Sequence, residues 1–357
     1  MHDQYMEMAI REAKKGIGNT YTNPLVGAVL VCEDEVIATG AHFAYGEKHA
    51  EQVALDQCSA PELISNSTLY VTLEPCHHQG KQPACTQAIV TSGISRVVIG
   101  QLDPNPLVAG KGKAFLESQG IEVITGIKEI EVRELNPAYL TFYEQNRPYV
   151  TLKQAITLDG KIAYDRNQQT TITSKSAYDM VHDERANYQA IVVGSQTALT
   201  DDPQLLATTV SNFPPVRVVL DRRGRIFEQM DLQLFQPSEV PVLILTEQVF
   251  IPDMPDHVTV HSLETLTIQQ VLAYLVTQKI QSLYVEGGAQ IHDAFLKSEL
   301  YDEVITYLSP KILGGTSVPS FSSDQLPRCS YLSITQVLTV GEDLKITARR
   351  LSTCSPD

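Results

Sequence analysis

Short apolar runs typical of buried strands alternate with helix-like segments along the first 145 residues. Strands are predicted at 26–31, 68–73, 96–100 and 121–124, with a hairpin return at 36–40. Helices are predicted after Asp3 through Ala13, from about His49, at 84–93 and at 113–119. This alternation limits the possible folds strongly, and it predicts an α/β sandwich with a mostly parallel sheet.

The rest of the chain begins again with strands and predicts a second α/β domain. Its β-rich runs lie at 149–153, 190–194, 216–221, 241–246, 283–286 and 303–308. Helix-like segments at 175–188 and 269–278 separate several of these runs. The polar, proline-containing stretch 136–148 predicts a boundary. We therefore expect two domains, 1–146 and 147–357, which suits a length of 357 residues.

The charge balance and the cysteine content exclude several classes of protein. Lys and Arg total 27 against 42 Asp and Glu, a formal net charge of −15, which argues against a nucleic-acid partner. No apolar run approaches the ~18–20 residues that span a bilayer, so no membrane partner is expected. The first five residues lack the pattern of a secretory signal. The six thinly spread cysteines are expected to be reduced thiols or metal ligands in a cytoplasmic protein.

One histidine, one glutamate and two cysteines form the sharpest chemical pattern in the first half. They occur as His49-Ala50-Glu51, then Glu74-Pro75-Cys76, then Cys85. One imidazole and two thiolates suit Zn²⁺, and three protein ligands leave a fourth position for water, as in catalytic sites. Glu51 can face that water without binding the metal, and so shuttle its proton to a leaving amine. Each residue alone would favour a core cysteine or a surface polar group, and only the ordered set favours a zinc site.

This set resembles the zinc-dependent cytidine and nucleobase deaminases, whose signature is His-x-Glu followed by Pro-Cys-x-x-Cys. Here eight residues separate Cys76 from Cys85. Together with the runs at 22–27, 40–42, 46–51 and 103–106, the half resembles the deaminase domain of the bifunctional riboflavin-biosynthesis enzymes. The resemblance implies a pyrimidine ribosyl phosphate pocket lined by Asn23, His42, His78, Lys81, Asp103 and Asn105.

Elementary chemistry supports some of these pocket residues more than others. Lys81 can contact a phosphate, and the side-chain amide of Asn23 can form hydrogen bonds to the edge of a pyrimidine ring. Asp103 stands before Pro104, so a role as a turn residue is an equally good interpretation.

The second half resembles the reductase domain of the same family, which is similar in fold to dihydrofolate reductase and uses NADPH. The resemblance lies in the runs at 152–163, 172–174, 197–203 and 285–289. Independently, Gly287 and Gly288 follow a predicted strand and open a helix, where bare backbone amides can approach a pyrophosphate. Tight turns use the same residues, so the glycine pair alone is weak evidence for a pyrophosphate site.

The family resemblance also implies the residues of the reductase pocket. Those implied to contact the dinucleotide are Ala155, Thr197, Asp201, Gly288, Ala289, Gln290, Ile291, His292, Asp293 and Ala294. Those implied to contact the substrate are Arg185, Leu205 and Glu286, with Lys153 as an additional pocket residue. Arg222 and Arg223, in a basic turn after a strand, can bind the 2′-phosphate that separates NADPH from NADH, although a solvated turn is the commoner role.

Two departures from the family pattern fall in this pocket. Gln169 and Thr171 stand where the family has Ser-x-Trp, at a substrate and a cofactor position respectively, and the chain has no tryptophan. Thr208 stands where the family has a substrate-binding arginine. A threonine lacks the charge to grip a phosphate, so we expect a working but weaker reductase.

The sequence therefore predicts a two-domain enzyme that uses Zn²⁺ and NADPH. It would deaminate 2,5-diamino-6-(5-phosphoribosylamino)pyrimidin-4-one and then reduce the ribosyl group to ribityl. We expect a homo-oligomer, either a dimer or a tetramer.

Two other functions remain to be weighed against this prediction. The first is a zinc deaminase of another nucleobase or of tRNA adenosine, with a weak or inactive reductase domain. The acidic balance of the first half, the long spacing between the cysteines and the attached domain disfavour it. The second is a zinc-stabilised binding module without turnover. Structural zinc sites normally have four protein ligands, and Glu51 would then have no purpose.

Overall fold

A computed structural model of the chain describes residues 2–77, 84–165, 167–209, 211–321 and 330–351. The chain divides into two compact units, Met1–Asn146 and Arg147–Asp357. None of the helices within the described ranges combines the length and the hydrophobicity needed to cross a bilayer.

The first unit contains six helices and five strands among its described residues. The helices are α1 (His2–Ala13), α2 (Ala50–Gln57), α3 (Cys85–Ser92), α4 (Lys111–Ser118), α5 (Glu129–Arg133) and α6 (Pro137–Gln145). The strands are β1 (Gly27–Cys32), β2 (Glu35–Ala41), β3 (Thr68–Leu73), β4 (Arg96–Gln101) and β5 (Glu122–Thr125).

The sheet of the first unit is mixed, in the order β2-β1-β3-β4-β5. β1 pairs antiparallel with both β2 and β3, whereas β3, β4 and β5 are parallel. Of the five strands in this sheet, β1 runs opposite to the other four, so the sheet is mostly parallel in strand direction, as predicted. Glu33 and Asp34 both have positive φ, at 48° and 65°, as a tight hairpin turn requires, and this turn makes the first pairing antiparallel.

Helices cover both faces of this sheet, which gives the predicted α/β/α sandwich. One face packs against α2, α3 and α4 through residues such as Ala54, Ile89 and Leu116. The other face packs against α1 and α5 through residues such as Met6 and Val132. A Cβ added at Gly40 would lie 2.3 Å from the carbonyl oxygen of Ala50, so only glycine lets α2 approach the sheet this closely.

The segment predicted as a boundary contains a helix, α6, and the two units divide just after it. Pro137 is at its first turn, where the missing N–H costs nothing and the fixed φ suits the helix. Tyr139 and Leu140 are buried and pack against Leu73 at the end of β3. The proline thus begins an element of the first unit.

The second unit is a larger α/β structure. Its strands are β6 (Tyr149–Thr157), β7 (Lys161–Ala163), β8 (Ala190–Gly194), β9 (Val216–Leu220), β10 (Val242–Thr246), β11 (Val258–Ser262), β12 (Ser282–Val285), β13 (Glu303–Ser309), β14 (Val318–Pro319), β15 (Leu332–Val340) and β16 (Asp343–Arg350). Its helices are α7 (Lys175–Glu184), α8 (Ser195–Asp201), α9 (Ile268–Thr277) and α10 (Ala289–Ser298).

Nine of these strands form one sheet, in the order β11-β10-β9-β8-β12-β6-β13-β16-β15. The pairs from β11 to β13 are parallel, and the final hairpin β16-β15 joins antiparallel. α9 and α10 pack on one face, through residues such as Leu275 and Phe295. α7 and α8 pack on the other, through Val181 and Ala198. Parallel strands buried on both faces explain the nearly continuous apolar runs of the sequence.

Candidate functional site

The three predicted zinc ligands lie together in the first unit. His49 is the residue before α2, Cys76 follows β3, and Cys85 opens α3. His49 Nδ1 is 3.2 Å from Cys85 Sγ and 3.5 Å from Cys76 Sγ, and the three donor atoms lie within 4.8 Å of one another. Zn–N and Zn–S bonds of about 2.0–2.3 Å in a tetrahedral arrangement place ligand atoms roughly 3.5 Å apart. The donor set therefore fits a zinc ion.

The two thiols of this cluster differ in acidity. Hydrogen bonds from Cys85 and His49 lower the pKa of Cys76, whereas the hydrogen bond to Cys76 and burial raise the pKa of Cys85. The hydrogen bond to Cys76 also raises the pKa of His49. The three donor atoms are thus hydrogen-bonded to one another, and a cation that binds between them replaces such protons.

Glu51 lies in the first turn of α2, beside the cluster. It is 3% exposed, and burial raises the pKa of its carboxyl group. A carboxyl with raised proton affinity can both take and release a proton during a reaction. The structure thus places Glu51 where a proton shuttle would be needed.

His42 and Asn23 form a second polar pair next to the ligands. The His42 ring is buried, and its centroid is 5.4 Å from that of His49. Nδ1 of His42 is 3.1 Å from the carbonyl oxygen of Lys48, which can only accept, so Nδ1 carries the hydrogen. Nε2, 3.1 Å away from the Asn23 amide nitrogen, then accepts from it. This hydrogen bond holds the Asn23 side chain beside His42.

Asp103 and Asn105 stabilise the loop between β4 and α4. One carboxylate oxygen of Asp103 accepts from the Asn105 amide at 2.8 Å and from the Tyr139 hydroxyl at 3.0 Å. The side-chain oxygen of Asn105 accepts from the Leu107 amide at 3.0 Å. Burial raises the pKa of Asp103 to about 6. These bonds support the interpretation of Asp103 as a turn residue.

Glu74 is a buried residue whose role the sequence did not reveal. Its carboxylate is 3% exposed and accepts backbone N–H groups of Asp103 at 3.2 Å, Gly110 at 2.9 Å and Lys113 at 3.0 Å. A Cβ added at Gly112 would lie 2.1 Å from the Pro75 carbonyl oxygen. The segment that leads to Cys76 is therefore held to the loop 102–110 and to the first turn of α4. In the sequence, an acidic residue directly after an apolar strand is the feature that could have indicated this role of Glu74.

Two predicted pocket residues of the first unit, His78 and Lys81, lie outside the described residues.

In the second unit, three glycines surround the start of α10. Gly287 and Gly288 follow β12, and Gly194 ends the neighbouring strand β8. A Cβ at Gly194 would lie 2.8 Å from Ile291, and one at Gly288 would lie 3.3 Å from the Thr197 hydroxyl. Glycine at 194 lets α10 pack closely on β8, and glycine at 288 leaves the start of α10 without a side chain beside the Thr197 hydroxyl; this glycine cradle suits a pyrophosphate. Asp201 ends the same helix as Thr197, and burial raises the pKa of its carboxyl group.

Beyond its first turn, α10 serves the core more than the cradle. Ile291 and Ala294 pack against the main core, and Gln290 is exposed. His292 and Asp293 are buried, and burial lowers the pKa of His292 to about 4. The structure thus places Gly288 and Ala289 nearest the cradle. Ala155 of β6 packs against a separate cluster that contains Tyr284 and Tyr307.

Arg185 and Glu286 form a buried ion pair on the α7 face of the sheet. The guanidinium donates to the two carboxylate oxygens at 2.6 and 2.8 Å, and both side chains are less than 10% exposed. Lys153, on the neighbouring strand β6, is partly buried. Burial lowers the pKa of Lys153, and the charge of Glu286 raises it. These three predicted substrate residues thus form one charged group.

Of the remaining predicted residues of the reductase pocket, Leu205 and Thr208 flank a segment beside this charged group. Arg185 donates to the Leu206 carbonyl oxygen at 2.8 Å, and the Thr208 amide donates to that of His182 at 3.2 Å. Leu205 is 2% exposed and packs in the hydrophobic core, whereas Thr208, Gln169 and Thr171 are exposed. The main-chain oxygen of Thr171 accepts from Lys311.

The basic turn after β9 is largely in solvent. Arg222 is 63% exposed and pairs with Glu247 at 3.2 Å. Arg225 of the same turn donates to Gln196 of α8 at 3.0 Å and so contacts the helix that carries Thr197.

Comparison with known families assigns each unit to a class of protein. Residues 1–101 match the family model of the cytidine and deoxycytidylate deaminase zinc-binding region, and residues 148–346 match that of the RibD C-terminal domain. The fold and the zinc-ligand cluster therefore define a cytidine-deaminase-like domain followed by a dihydrofolate-reductase-like domain, and the predicted fold class is confirmed.

Similar proteins cover both units together. The chain is 41% identical to the riboflavin biosynthesis protein RibD of Bacillus amyloliquefaciens, over 98% of this chain and 96% of that protein. Acinetobacter baumannii RibD matches with a TM-score of 0.88 at 34% identity, covering 98% of this chain and 99% of that one. The Thermotoga maritima diaminohydroxyphosphoribosylaminopyrimidine deaminase/5-amino-6-(5-phosphoribosylamino)uracil reductase matches with a TM-score of 0.85 at 37% identity, covering 98% and 99%. The chain belongs to the RibD family of riboflavin-biosynthesis proteins.

Proposed function

We propose that this chain catalyses two consecutive steps of riboflavin biosynthesis. Residues 1–146 deaminate 2,5-diamino-6-(5-phosphoribosylamino)pyrimidin-4-one, and residues 147–357 reduce the ribosyl group of the product with NADPH. The observation that carries this function is the cluster of His49, Cys76 and Cys85 beside buried Glu51, in one chain with the glycine cradle at α10.

In the deaminase reaction, water replaces the 2-amino group and ammonia leaves. His49, Cys76 and Cys85 hold zinc, which when bound supplies the Lewis acidity that makes water a nucleophile. Glu51 takes the proton of the attacking water and delivers it to the leaving amine. Asn23, held by His42, orients the ring through its side-chain amide. Lys81 contacts the phosphate, and Asp103 and Asn105 shape the loop beside the pocket.

In the reductase reaction, the anomeric carbon of the ribosyl group gains a hydride, its bond to the ring oxygen breaks, and that oxygen takes a proton, which opens the sugar to a ribityl chain. NADPH when bound supplies that hydride. The amides at Gly288 and Ala289 hold the pyrophosphate at the start of α10, with Thr197 and Asp201 beside it. Lys153, Arg185 and Glu286 bind and orient the substrate.

The function is tested by giving the purified protein the diamino substrate and NADPH. We expect release of ammonia followed by oxidation of NADPH, each measured separately. A deaminase with an inactive reductase domain would release ammonia without oxidising NADPH, even when supplied with the deaminated intermediate. Formation of inosine in tRNA, with no ammonia from the diamino substrate, would instead favour the tRNA alternative.

Arg222 and Arg223 are proposed to favour NADPH over NADH. Removing both by Arg222→Ala with Arg223→Ala should raise the KM for NADPH more than the KM for NADH, because only NADPH has a 2′-phosphate. Steady-state kinetics with both dinucleotides measure this difference. Arg225→Ala serves as the comparison, and an equal effect of the double variant on both cofactors would assign the turn to the solvated surface.

The hairpin at the edge of the nine-stranded sheet supports a homo-oligomer. Residues 332–339 of β15 are exposed on both faces, including Ile334 at 64% and Val337 at 54%. A long apolar edge strand is a template for pairing with another chain. We propose that a second copy covers this hairpin.

The reduced thiols of Cys76 and Cys85 suit a reducing compartment, which supports a cytoplasmic location.

An Ile334→Asp variant should sediment as a monomer, because it places a charge on the proposed interface, while the unaltered chain sediments as a dimer or a tetramer. Analytical ultracentrifugation measures both. Val249→Asp, at a site that is 90% exposed in the same unit, is the matched control. Equal sedimentation of all three proteins would exclude this hairpin as the interface.

A further inference from the structure

Glu184, the last residue of α7, binds three donors from three different strands. One of its oxygens accepts from the hydroxyls of Tyr284 at 2.9 Å and Tyr307 at 2.8 Å. The other accepts from the ammonium of Lys345. Both tyrosines are fully buried, and the side chains of Glu184 and Lys345 are 14% and 12% exposed. These donors satisfy both oxygens of a carboxylate that lies largely out of water.

This cluster spans the strand that carries Lys153. β12 and β13 flank β6, with Tyr284 opposite Thr151 and Tyr307 opposite Ala155 in register. Alternate residues of a strand share a face, so Lys153 lies on the same face, between those two positions. The carboxylate of Glu184 therefore bridges from one neighbouring strand to the other across Lys153.

The next residue along the chain, Arg185, ties the same turn to the end of β12 through Glu286. Two ion pairs, Arg185 with Glu286 and Lys345 with Glu184, balance their own charges. Lys153 forms no ion pair with any residue in the described part of the chain. Its side chain, when protonated, is therefore not balanced by an ion pair there, which suits an anionic substrate or the delivery of a proton.

We propose that Glu184 is a positioning residue for the reductase: held by Tyr284, Tyr307 and Lys345, it fixes the end of α7 for the Arg185–Glu286 pair and supplies the negative charge that faces Lys153. The inference rests on the proposed function, which places Lys153, Arg185 and Glu286 at the substrate. Glu184 itself need not touch the substrate.

The charges around Lys153 predict the sign of the effect. The titratable or charged groups that interact with Lys153 are Glu286, Glu184, Arg185, His182 and His292. Lys345 acts on it through its ion pair with Glu184. Burial lowers the pKa of Lys153, Glu286 and Glu184 raise it, and Arg185 lowers it. Removing the charge of Glu184 should therefore lower this pKa further, whereas removing the charge of Lys345 should raise it.

The test measures kcat against pH for NADPH oxidation, with the already deaminated intermediate as substrate. In Glu184→Gln the alkaline limb should move to lower pH by roughly one unit, the size of shift that a nearby charge produces. In Lys345→Met it should move to higher pH. Asp183→Asn removes the same charge from the exposed neighbouring residue and should leave the profile unchanged. Ammonia release should be equal in all of these proteins.

Profiles that stay at the wild-type position, with only thermal stability reduced, would overturn the inference, as would shifts of the two variants in the same direction. If Glu184→Gln does not fold, Lys345→Met and Tyr307→Phe provide the test; Tyr307→Phe removes one donor but keeps the charge and should lower kcat with little shift. Wild-type protein that cannot reduce the intermediate would instead contradict the proposed function.

Discussion

A Glu51→Gln variant is expected to keep its zinc and its fold but to lose ammonia release by about 10²–10⁴-fold, the usual contribution of a positioned acid–base group. The amide has nearly the same size as the carboxyl, but it cannot take a proton from water. Ammonia release from the diamino substrate and zinc content per chain measure the two effects separately.

Two controls make this result specific to Glu51. Glu62→Gln removes a carboxylate from an exposed position of the same unit and should not change ammonia release. The Glu51→Gln protein should still oxidise NADPH when given the deaminated intermediate, because that chemistry belongs to the second unit. Normal deamination by Glu51→Gln would show that another group moves the proton.

A Cys85→Ser variant is expected to weaken zinc binding by more than about 100-fold, which exceeds the loss typical for a residue that only supports a ligand. Cys85 is fully buried at the start of α3, and a serine oxygen is a shorter and harder donor than a thiolate. Metal analysis after dialysis should show about one zinc in the wild-type chain and little in the variant, with ammonia release lost in parallel.

The matched control is Cys58→Ser. Cys58 is also buried, but its thiol donates to the carbonyl oxygen of Ala60 and lies outside the ligand cluster. It should keep its full zinc content. Equal zinc in both variants would contradict the assignment of Cys85 as a ligand.

The sequence by itself determined the features that depend on neighbouring residues. Apolar residues located most of the strands of both units. A strand buried on one face alternates apolar and polar residues, and a strand buried on both faces is a short continuous apolar run. The order of His49, Glu51, Cys76 and Cys85 indicated a zinc site, since each residue stands at the junction of a strand, loop or helix. Gly287 and Gly288 indicated the cradle for the same reason.

Only the tertiary structure decided the features that depend on residues far apart in the chain. Arg185 and Glu286 are 101 residues apart, and Glu184 and Lys345 are 161 apart. No local pattern encodes such pairs, because the sequence around a charged residue does not show whether its side chain lies in solvent or in a buried ion pair. Three other features follow from packing in the same way: the contact of the helix at Pro137 with β3, the bonds of Glu74 to the loop 102–110 and the start of α4, and the core position of Leu205. Each buried polar group finds its donors only when the distant strands and helices meet.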